Sequence, residues 1–160
     1  MMIQREVNET QSFTSTVARV PDGSRILIAC EDQSTTEQLN NVFQEAGLIS
    51  ESARSMTEAC GFAKSGRFQA VVSTPTLHDG SWERLIGIAN HFDLGFEVVL
   101  WARSFDLLEW AKALKAGAFD VLDATRELPK AAEVMKRALW AAYLKGAGPH
   151  PELASHRAAA

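Results

Sequence analysis

The stretch RILIACEDQSTTEQLNNVFQEAG, Arg25–Gly47, decides the fold because it joins a buried strand directly to an amphipathic helix. Its apolar run, Arg25–Cys30, predicts a strand that is covered on both faces, as in a parallel sheet. Ser34 and Glu37 have the spacing of a capping box and predict the start of a helix, which Gly47 ends. The stretch is therefore typical of one strand-helix unit of an α/β protein.

Strand and helix patterns alternate in the same way along the rest of the chain. The further predicted strands are LISESA (48–53), FQAVVS (68–73), EVVLWA (97–102) and FDVLD (119–123). The further predicted helices start at a second capping box of Ser55 and Glu58, at Ser81, at Ser104 and at Arg126. The helix after Ser104 has a predicted inward stripe of Leu107, Leu108, Ala111 and Leu114, and the last helix extends to about Lys145.

Five strands, each followed by a helix over a short connection, predict a doubly wound α/β fold. Because crossovers between parallel strands are right-handed, we expect a five-stranded parallel sheet with the order 2-1-3-4-5 and five helices on its two faces. Such a sheet has its functional crevice beyond the carboxyl ends of the first and third strands. The residues that follow Cys30 and Ser73 are therefore the candidates for a site.

The composition predicts one cytoplasmic domain without affinity for nucleic acid or membranes. The chain has 160 residues, of which 46% are hydrophobic, and a formal net charge of −4, so it lacks a basic field. No apolar run is long enough to span a bilayer, and the first residues contain no signal-peptide core. We expect a flexible N-terminal arm over residues 1–24, a folded domain over 25–145 and a disordered tail over 146–160.

The cysteines and histidines do not have the spacing of a metal site. Cys30 and Cys60 lie far apart in the sequence, which favours two reduced, buried thiols. The histidines are scattered, at His78, His91, His150 and His156.

Three segments are similar to the receiver domain of bacterial two-component response regulators. RILIACED resembles the family's first strand and acidic pair, FQAVVSTPTLHDGSWERL its phosphoacceptor strand and loop, and ALKAGAFDVLD its last helix, turn and strand. The resemblance covers about Arg25 to Leu144. It implies a domain that accepts a phosphoryl group on an aspartate after the third strand, with Mg²⁺ held by that aspartate and the acids after the first strand. It also implies a hydroxyl residue after the fourth strand and a lysine after the fifth, both in contact with the phosphoryl group.

The implied phosphoacceptor position is occupied by Thr74. An ionised aspartate attacks phosphorus directly, whereas a threonine hydroxyl needs a neighbouring base to remove its proton. In the acidic pocket, the resemblance aligns Cys30 with the first acid and Glu31 with the second, and Asp32 lies one place beyond. Glu31 and Asp32 are thus weak candidates for a metal site, and we expect no cofactor, Mg²⁺ included.

The switch and lysine positions also differ from the family. Trp101 aligns with the switch hydroxyl, and an indole can only donate one hydrogen bond. Val121 aligns with a common aromatic residue, and Ala124 aligns with the lysine, beside the negative charge of Asp123. Because one missing electrostatic donor costs on the order of 10² to 10³ in rate, these differences predict that phosphorylation is lost.

The sequence therefore predicts a degenerate receiver, or pseudo-receiver, that is not an enzyme. We expect it to bind a protein partner in a bacterial two-component pathway without being phosphorylated. The resemblance implies the surface of the fourth helix, fifth strand and fifth helix, which is also a candidate for homodimer formation. The predicted residues of this interaction face, chosen as aromatic side chains with basic neighbours, are Trp110, Lys136, Arg137, Trp140 and Tyr143.

Two other hypotheses stay open. One is a phosphorylatable receiver that uses a non-standard acceptor: Asp79, Thr74 or Ser73. The other is a flavodoxin-like module for a small ligand, in which the hydroxyls of STPT (73–76) bind an anion, although the acids of EDQSTT (31–36) would repel a phosphate. A thiol sensor at Cys30 is not expected, because the acids that follow it would raise the pKa of the thiol.

Overall fold

The computed structural model describes residues 19–146, which form a five-stranded parallel sheet between two layers of helices. The strands of the sheet are β1 (Arg25–Ala29), β2 (Ile49–Ala53), β3 (Ala70–Ser73), β6 (Glu97–Ala102) and β7 (Asp120–Asp123), and a separate hairpin consists of β4 (Thr76–Leu77) and β5 (Gly80–Ser81). The helices are α1 (Gln33–Glu45), α2 (Met56–Lys64), α3 (Glu83–His91), α4 (Leu107–Ala116) and α5 (Ala131–Leu144). The strand order β2-β1-β3-β6-β7 confirms the predicted doubly wound sheet.

Alternate side chains of β1 enter two different core layers. Ile26 and Ile28 pack with residues of α1 and α5, whereas Leu27 and Ala29 pack with residues of α2, α3 and α4. All four side chains are buried. A strand that is covered on both faces needs apolar residues at successive positions, which accounts for the continuous run in the sequence.

Two helices begin at other residues than the sequence predicts. α1 is capped by Asp32, whose carboxylate accepts a backbone N–H of the first turn, and not by Ser34. α4 is capped by Asp106 in a capping box with Glu109, and not by Ser104, whose φ of 57° lies in the left-handed region. In both helices an ionised carboxylate lies at the positive end of the helix dipole.

Two further helices are shorter than predicted at their N-termini. Ser81 pairs with Thr76 in the hairpin, so α3 begins only at Glu83. Arg126 precedes a 3₁₀ turn at Leu128–Lys130, and α5 follows that turn. The sequence pattern predicts neither the hairpin nor the turn, because each consists of only a few residues.

The predicted inward stripe of α4 is wrong, because most of its residues lie on the exposed face of the helix. Leu107 is 79% exposed, Leu108 is 63% exposed, and Ala111 is exposed as well. Leu114 is half-buried, and Ala113 is the residue of this helix that is buried. A helix buries one face, and on α4 that face is occupied by the small alanine and not by the leucines.

Part of the predicted N-terminal arm contacts the folded domain. Val20 packs against the core layer of α1 and α5, and the indole N–H of Trp140 donates to the carbonyl oxygen of Arg19. Residues 1–18 and 147–160, which include most of the predicted arm and tail with His150 and His156, lie outside the described residues. None of the described helices has both the length and the apolar character needed to cross a bilayer.

Candidate functional site

Thr74 and Ala124 lie at the carboxyl edge of the sheet. The backbone N–H of Thr74 donates to the carbonyl of Ala29 at 3.1 Å, directly after the pairing of β3 with β1. The backbone N–H of Ala124 donates to the carbonyl of Ala102 at 2.8 Å, directly after the pairing of β7 with β6. Because the carboxyl ends of parallel strands share one edge, both positions lie at the edge that carries the crevice, Thr74 beside the end of β1 and Ala124 two strands away from β3.

Glu31 and His78 join the loop after β1 to the loop after β3. One carboxylate oxygen, Oε1, accepts the backbone N–H of His78 at 2.6 Å, and Oε2 lies 2.8 Å from Nδ1 of the same residue. Since a carboxylate can only accept, Nδ1 carries the proton in this contact. Both side chains are partly exposed, so this pair, which we call the crevice clasp, lies at the mouth of the crevice.

Asp32, which follows Glu31, is also held within the chain. Oδ2 of Asp32 accepts the backbone N–H of Thr35 at 2.9 Å and the hydroxyl of the same residue at 2.6 Å. These two hydrogen bonds lower the pKa of Asp32 below its usual range. Within residues 19–146, no three metal-ligating side chains come together as a metal site. In the structure, Glu31 forms the clasp with His78, and Asp32 caps α1.

Asp79 caps the N-terminus of α2 from the loop after β3. Its Oδ1 accepts the backbone N–H of Met56 at 2.6 Å, and its Oδ2 accepts the backbone N–H and the hydroxyl of Thr57 at 2.8 and 2.7 Å. These hydrogen bonds hold the pKa of Asp79 far below its ordinary value. The sequence does not predict this role, because nothing in the local pattern links Asp79 to a helix that starts 23 residues earlier.

The predicted switch residue Trp101 is a core side chain. It is 4% exposed and packs in the layer of α1 and α5, together with Cys30. The last residue of β6 is Ala102, which faces the opposite layer. Neither residue supplies a hydroxyl at the end of this strand.

At the end of β7 the chain forms a turn that is held by hydrogen bonds to the carboxylate of Asp123. Its Oδ1 accepts the backbone N–H and the hydroxyl of Thr125, and these hydrogen bonds, together with Arg126, lower the pKa of Asp123. Val121, the predicted counterpart of an aromatic switch, is buried in the layer of α2, α3 and α4. No ammonium group follows this strand at the position of Ala124.

Both cysteines are buried and free, as predicted. Burial raises the pKa of Cys30, and the carboxylates of Asp32 and Glu31 add to this increase. Burial also raises the pKa of Cys60. Both thiols are therefore mainly protonated at neutral pH.

The predicted interaction face divides into two parts. Trp110, on α4, is 39% exposed and shares its helix with the exposed leucines. On α5, Lys136, Trp140 and Tyr143 follow one another at helical spacing, and Lys136 lines a cleft beside the N-terminal segment. Arg137 is exposed next to this stripe. The aromatic pair of α5 therefore lies on the flank nearest α1.

No protein-family model matches the sequence, and no curated protein is similar to it. Solved structures do match. The signal receiver domain of a putative Luxo repressor protein from Vibrio parahaemolyticus superimposes with a TM-score of 0.70 at 16% identity, covering 80% of this chain and 96% of that one.

Two further matches are of the same kind. A two-component response regulator from Clostridium difficile gives a TM-score of 0.65 at 23% identity, covering 73% of this chain and 96% of that one. A CheY-like response regulator receiver domain protein from Methanospirillum hungatei gives 0.66 at 18% identity, covering 77% and 98%. The chain therefore has the five-stranded α/β fold of response regulator receiver domains, which are its structural neighbours.

Proposed function

We propose that this chain is a degenerate receiver domain that binds a protein partner in two-component signalling without being phosphorylated. The crevice clasp is the observation that carries the proposal. Both oxygens of Glu31 are occupied by His78, at 2.6 and 2.8 Å, across the mouth of the crevice. Binding of a hard cation such as Mg²⁺ by this carboxylate would therefore compete with the two hydrogen bonds of the clasp.

The other groups at the carboxyl edge favour the same function. A threonine hydroxyl at position 74 has a far higher pKa than a carboxyl group and is a poor nucleophile without a base. The methyl group of Ala124 provides no charge to balance phosphoryl oxygens. Asp123 adds a negative charge beside it, which disfavours a bound phosphoryl group further.

Two of the alternative phosphoryl acceptors, Ser73 and Asp79, are engaged in hydrogen bonds within the chain. The hydroxyl of Ser73 donates to the carbonyl of Thr74 at 2.7 Å, and this serine is fully buried. The carboxylate of Asp79 accepts three hydrogen bonds from Met56 and Thr57. Binding without phosphorylation is therefore better supported than transfer to a non-standard acceptor.

The outward face of α4 supports a role in binding a protein. Leu107, Leu108 and Trp110 are exposed large apolar residues within one turn of this helix. A cluster of exposed apolar side chains is typical of an interaction site. We propose that this face contacts a heterologous protein partner through an apolar centre.

Amide spectra of the ¹⁵N-labelled chain test the loss of phosphorylation. We expect no chemical-shift change when Mg²⁺ and beryllofluoride are added together, relative to either addition alone. Shifts centred on Glu31 and Thr74 would refute the proposal. Incubation with labelled acetyl phosphate and peptide mass spectrometry complete the test, because an adduct at Asp79, Thr74 or Ser73 would establish the alternative acceptor.

A pair of matched variants tests the interaction face. Leu108→Glu places a charge on α4, and Leu144→Glu places the same charge on the similarly exposed end of α5. We expect a partner isolated with the native chain to bind the Leu144→Glu variant and not to bind the Leu108→Glu variant. Equal binding by both variants would contradict the α4 surface, and concentration-dependent dimerisation of the native chain would favour a homodimer instead.

A further inference from the structure

We propose that α5 and the turn between α1 and β2 form a binding site for a short extended peptide, and that the chain fills this site with its own segment Arg19–Pro21. The site lies beside Ser24 and Ile49, which adjoin the amino ends of β1 and β2. This is the edge of the sheet opposite the crevice. The proposal therefore stands whether or not the crevice receives a phosphoryl group.

Trp140 recognises the main chain of the segment. Its indole N–H donates to the carbonyl oxygen of Arg19, across 121 positions of sequence. The ring is held by an edge-on contact with Tyr143, with 5.7 Å between centroids and an angle of 82°. Because the acceptor is a backbone carbonyl, this contact can be made by any extended peptide that presents one, as in aromatic grooves that bind proline-containing peptides.

The segment has the features of such a ligand. Val20 precedes a proline, which favours an extended backbone, and its side chain packs against the core layer of α1 and α5. The carbonyl of Pro21 accepts both the backbone N–H and the hydroxyl of Ser24, at 3.1 and 2.6 Å. Gly23, with a φ of 81°, completes this turn in a conformation that favours glycine. The chain thus presents Arg-Val-Pro and then turns into β1.

A cleft lies beside the segment, next to the contact of Val20 with the core. It has a volume of about 420 Å³ and is lined by residues 19–24, by Ala46–Ile49 and by Lys136. Two described contacts join the segment to the domain, the indole hydrogen bond at Arg19 and the packing of the Val20 side chain. Contacts this few can be replaced by an external peptide, although a tethered segment has a high effective concentration and will compete strongly.

Fluorescence quenching in a Trp110→Phe background tests the site. Trp82 and Trp101 are 6% and 4% exposed, so Trp140 then becomes the accessible tryptophan. We expect Val20→Asp to release the segment and to raise the acrylamide quenching constant about twofold, since buried charge next to the core is disfavoured. Gln38→Asp, which places the same charge on the exposed face of α1, is the control and should leave the constant unchanged.

Addition of a peptide in trans then tests binding. A synthetic peptide of residues 16–24 should restore the low quenching of the Val20→Asp chain in a saturable way, whereas the same peptide with Val20→Asp should not. The chain with native Val20 should not respond at equal peptide concentration, because its own segment fills the site. Unchanged quenching in the Val20→Asp chain, or an equal response to both peptides, would overturn the proposal.

A second variant covers the case in which Val20→Asp does not fold. Trp140→Phe keeps an aromatic ring at this position and removes the N–H donor. We expect exchange of the Ser24 amide, which donates to the carbonyl of Pro21, to increase about threefold in this variant, as a local opening requires, and not in Trp110→Phe. Exchange that is unchanged in Trp140→Phe would overturn the role of the indole.

Discussion

The carboxylate of Asp79 accepts a hydrogen bond from the backbone N–H of Met56 at 2.6 Å and so caps a helix that begins 23 residues before it in the sequence. The same carboxylate accepts two hydrogen bonds from Thr57. The loop after β3 is thereby fixed to α2, while the clasp fixes it to the loop after β1. In this chain, hydrogen bonds between side chains and backbone hold together the loops that surround the crevice.

Replacement of Asp79 by alanine is expected to destabilise the fold through α2. Two backbone N–H groups and one hydroxyl lose their acceptor, and loss of a cap worth about 1 kcal/mol lowers Tm by about 2 to 4 °C in a chain of this length. Thermal unfolding followed by circular dichroism measures the change. Glu58→Ala, in the first turn of the same helix, is the control, and an equal effect of the two substitutions would contradict the role of Asp79.

Stability is expected to fall at acid pH with a contribution from Asp79. Its pKa is lower in the folded chain than the ordinary value of about 3.9, so the carboxylate binds fewer protons in the folded state. The resulting stabilisation is present above the ordinary pKa and is lost as the pH falls below it toward the folded value. Tm measured from pH 7 down to pH 2 should be nearly constant to pH 5 and then decrease. Asp79→Asn should show a shallower decrease below pH 4, and an unaltered slope would argue against the linkage.

The crevice clasp should be detectable as a coupling between its two residues. Glu31→Ala removes both hydrogen bonds and should cost about 1 kcal/mol, whereas His78→Ala keeps the backbone donor and should cost less. Urea unfolding of the single and double variants gives the coupling energy, which we expect at about 0.5 kcal/mol or more. Strict additivity would mean that the side chains do not interact in solution.

Aspartate at position 74 is not expected to restore phosphorylation by itself. Thr74→Asp supplies the nucleophile. Cys30 still stands at the position aligned with the first acid of the pocket, and Ala124 at the position aligned with the lysine. Because one absent electrostatic group costs on the order of 10² to 10³ in rate, uptake of phosphoryl from acetyl phosphate should stay near background.

The triple variant Cys30→Asp, Thr74→Asp, Ala124→Lys provides the comparison. It should incorporate phosphoryl faster than Thr74→Asp alone when both are followed by intact-protein mass spectrometry with Mg²⁺. Equal incorporation by the two variants would show that the missing charges do not limit the reaction.

Polar substitution on α4 should distinguish its two faces. Leu108→Ser changes an exposed side chain and should alter the free energy of unfolding by about 0.5 kcal/mol or less. Ala113→Asp places a charge in the buried face and should cost about 2 kcal/mol or more. Chemical unfolding of both variants measures the difference. A larger loss of unfolding free energy for Leu108→Ser would support the apolar stripe that the sequence predicts.

The regular part of the fold could be predicted because its signals are periodic and local. The apolar run at Arg25–Cys30 and the helix cap at Ser55 reflect contacts within one strand or one turn. The same local rules failed where two candidate caps lie close together, as with Ser34 and Asp32, because the sequence does not rank a carboxylate above a hydroxyl. They failed on α4 because apolar residues at helical spacing do not say which face meets the sheet.

The sequence by itself determined the five strands of the parallel sheet, their order and the position of Thr74 beside the end of β1, since alternation and right-handed crossovers leave few topologies. Only the tertiary structure decided that Glu31 pairs with His78, that Asp79 caps α2 and that Trp140 binds the carbonyl of Arg19. The physical reason is that periodicity depends on neighbours along the chain. The partner of a polar group depends instead on which distant segment folding brings within about 3 Å of it.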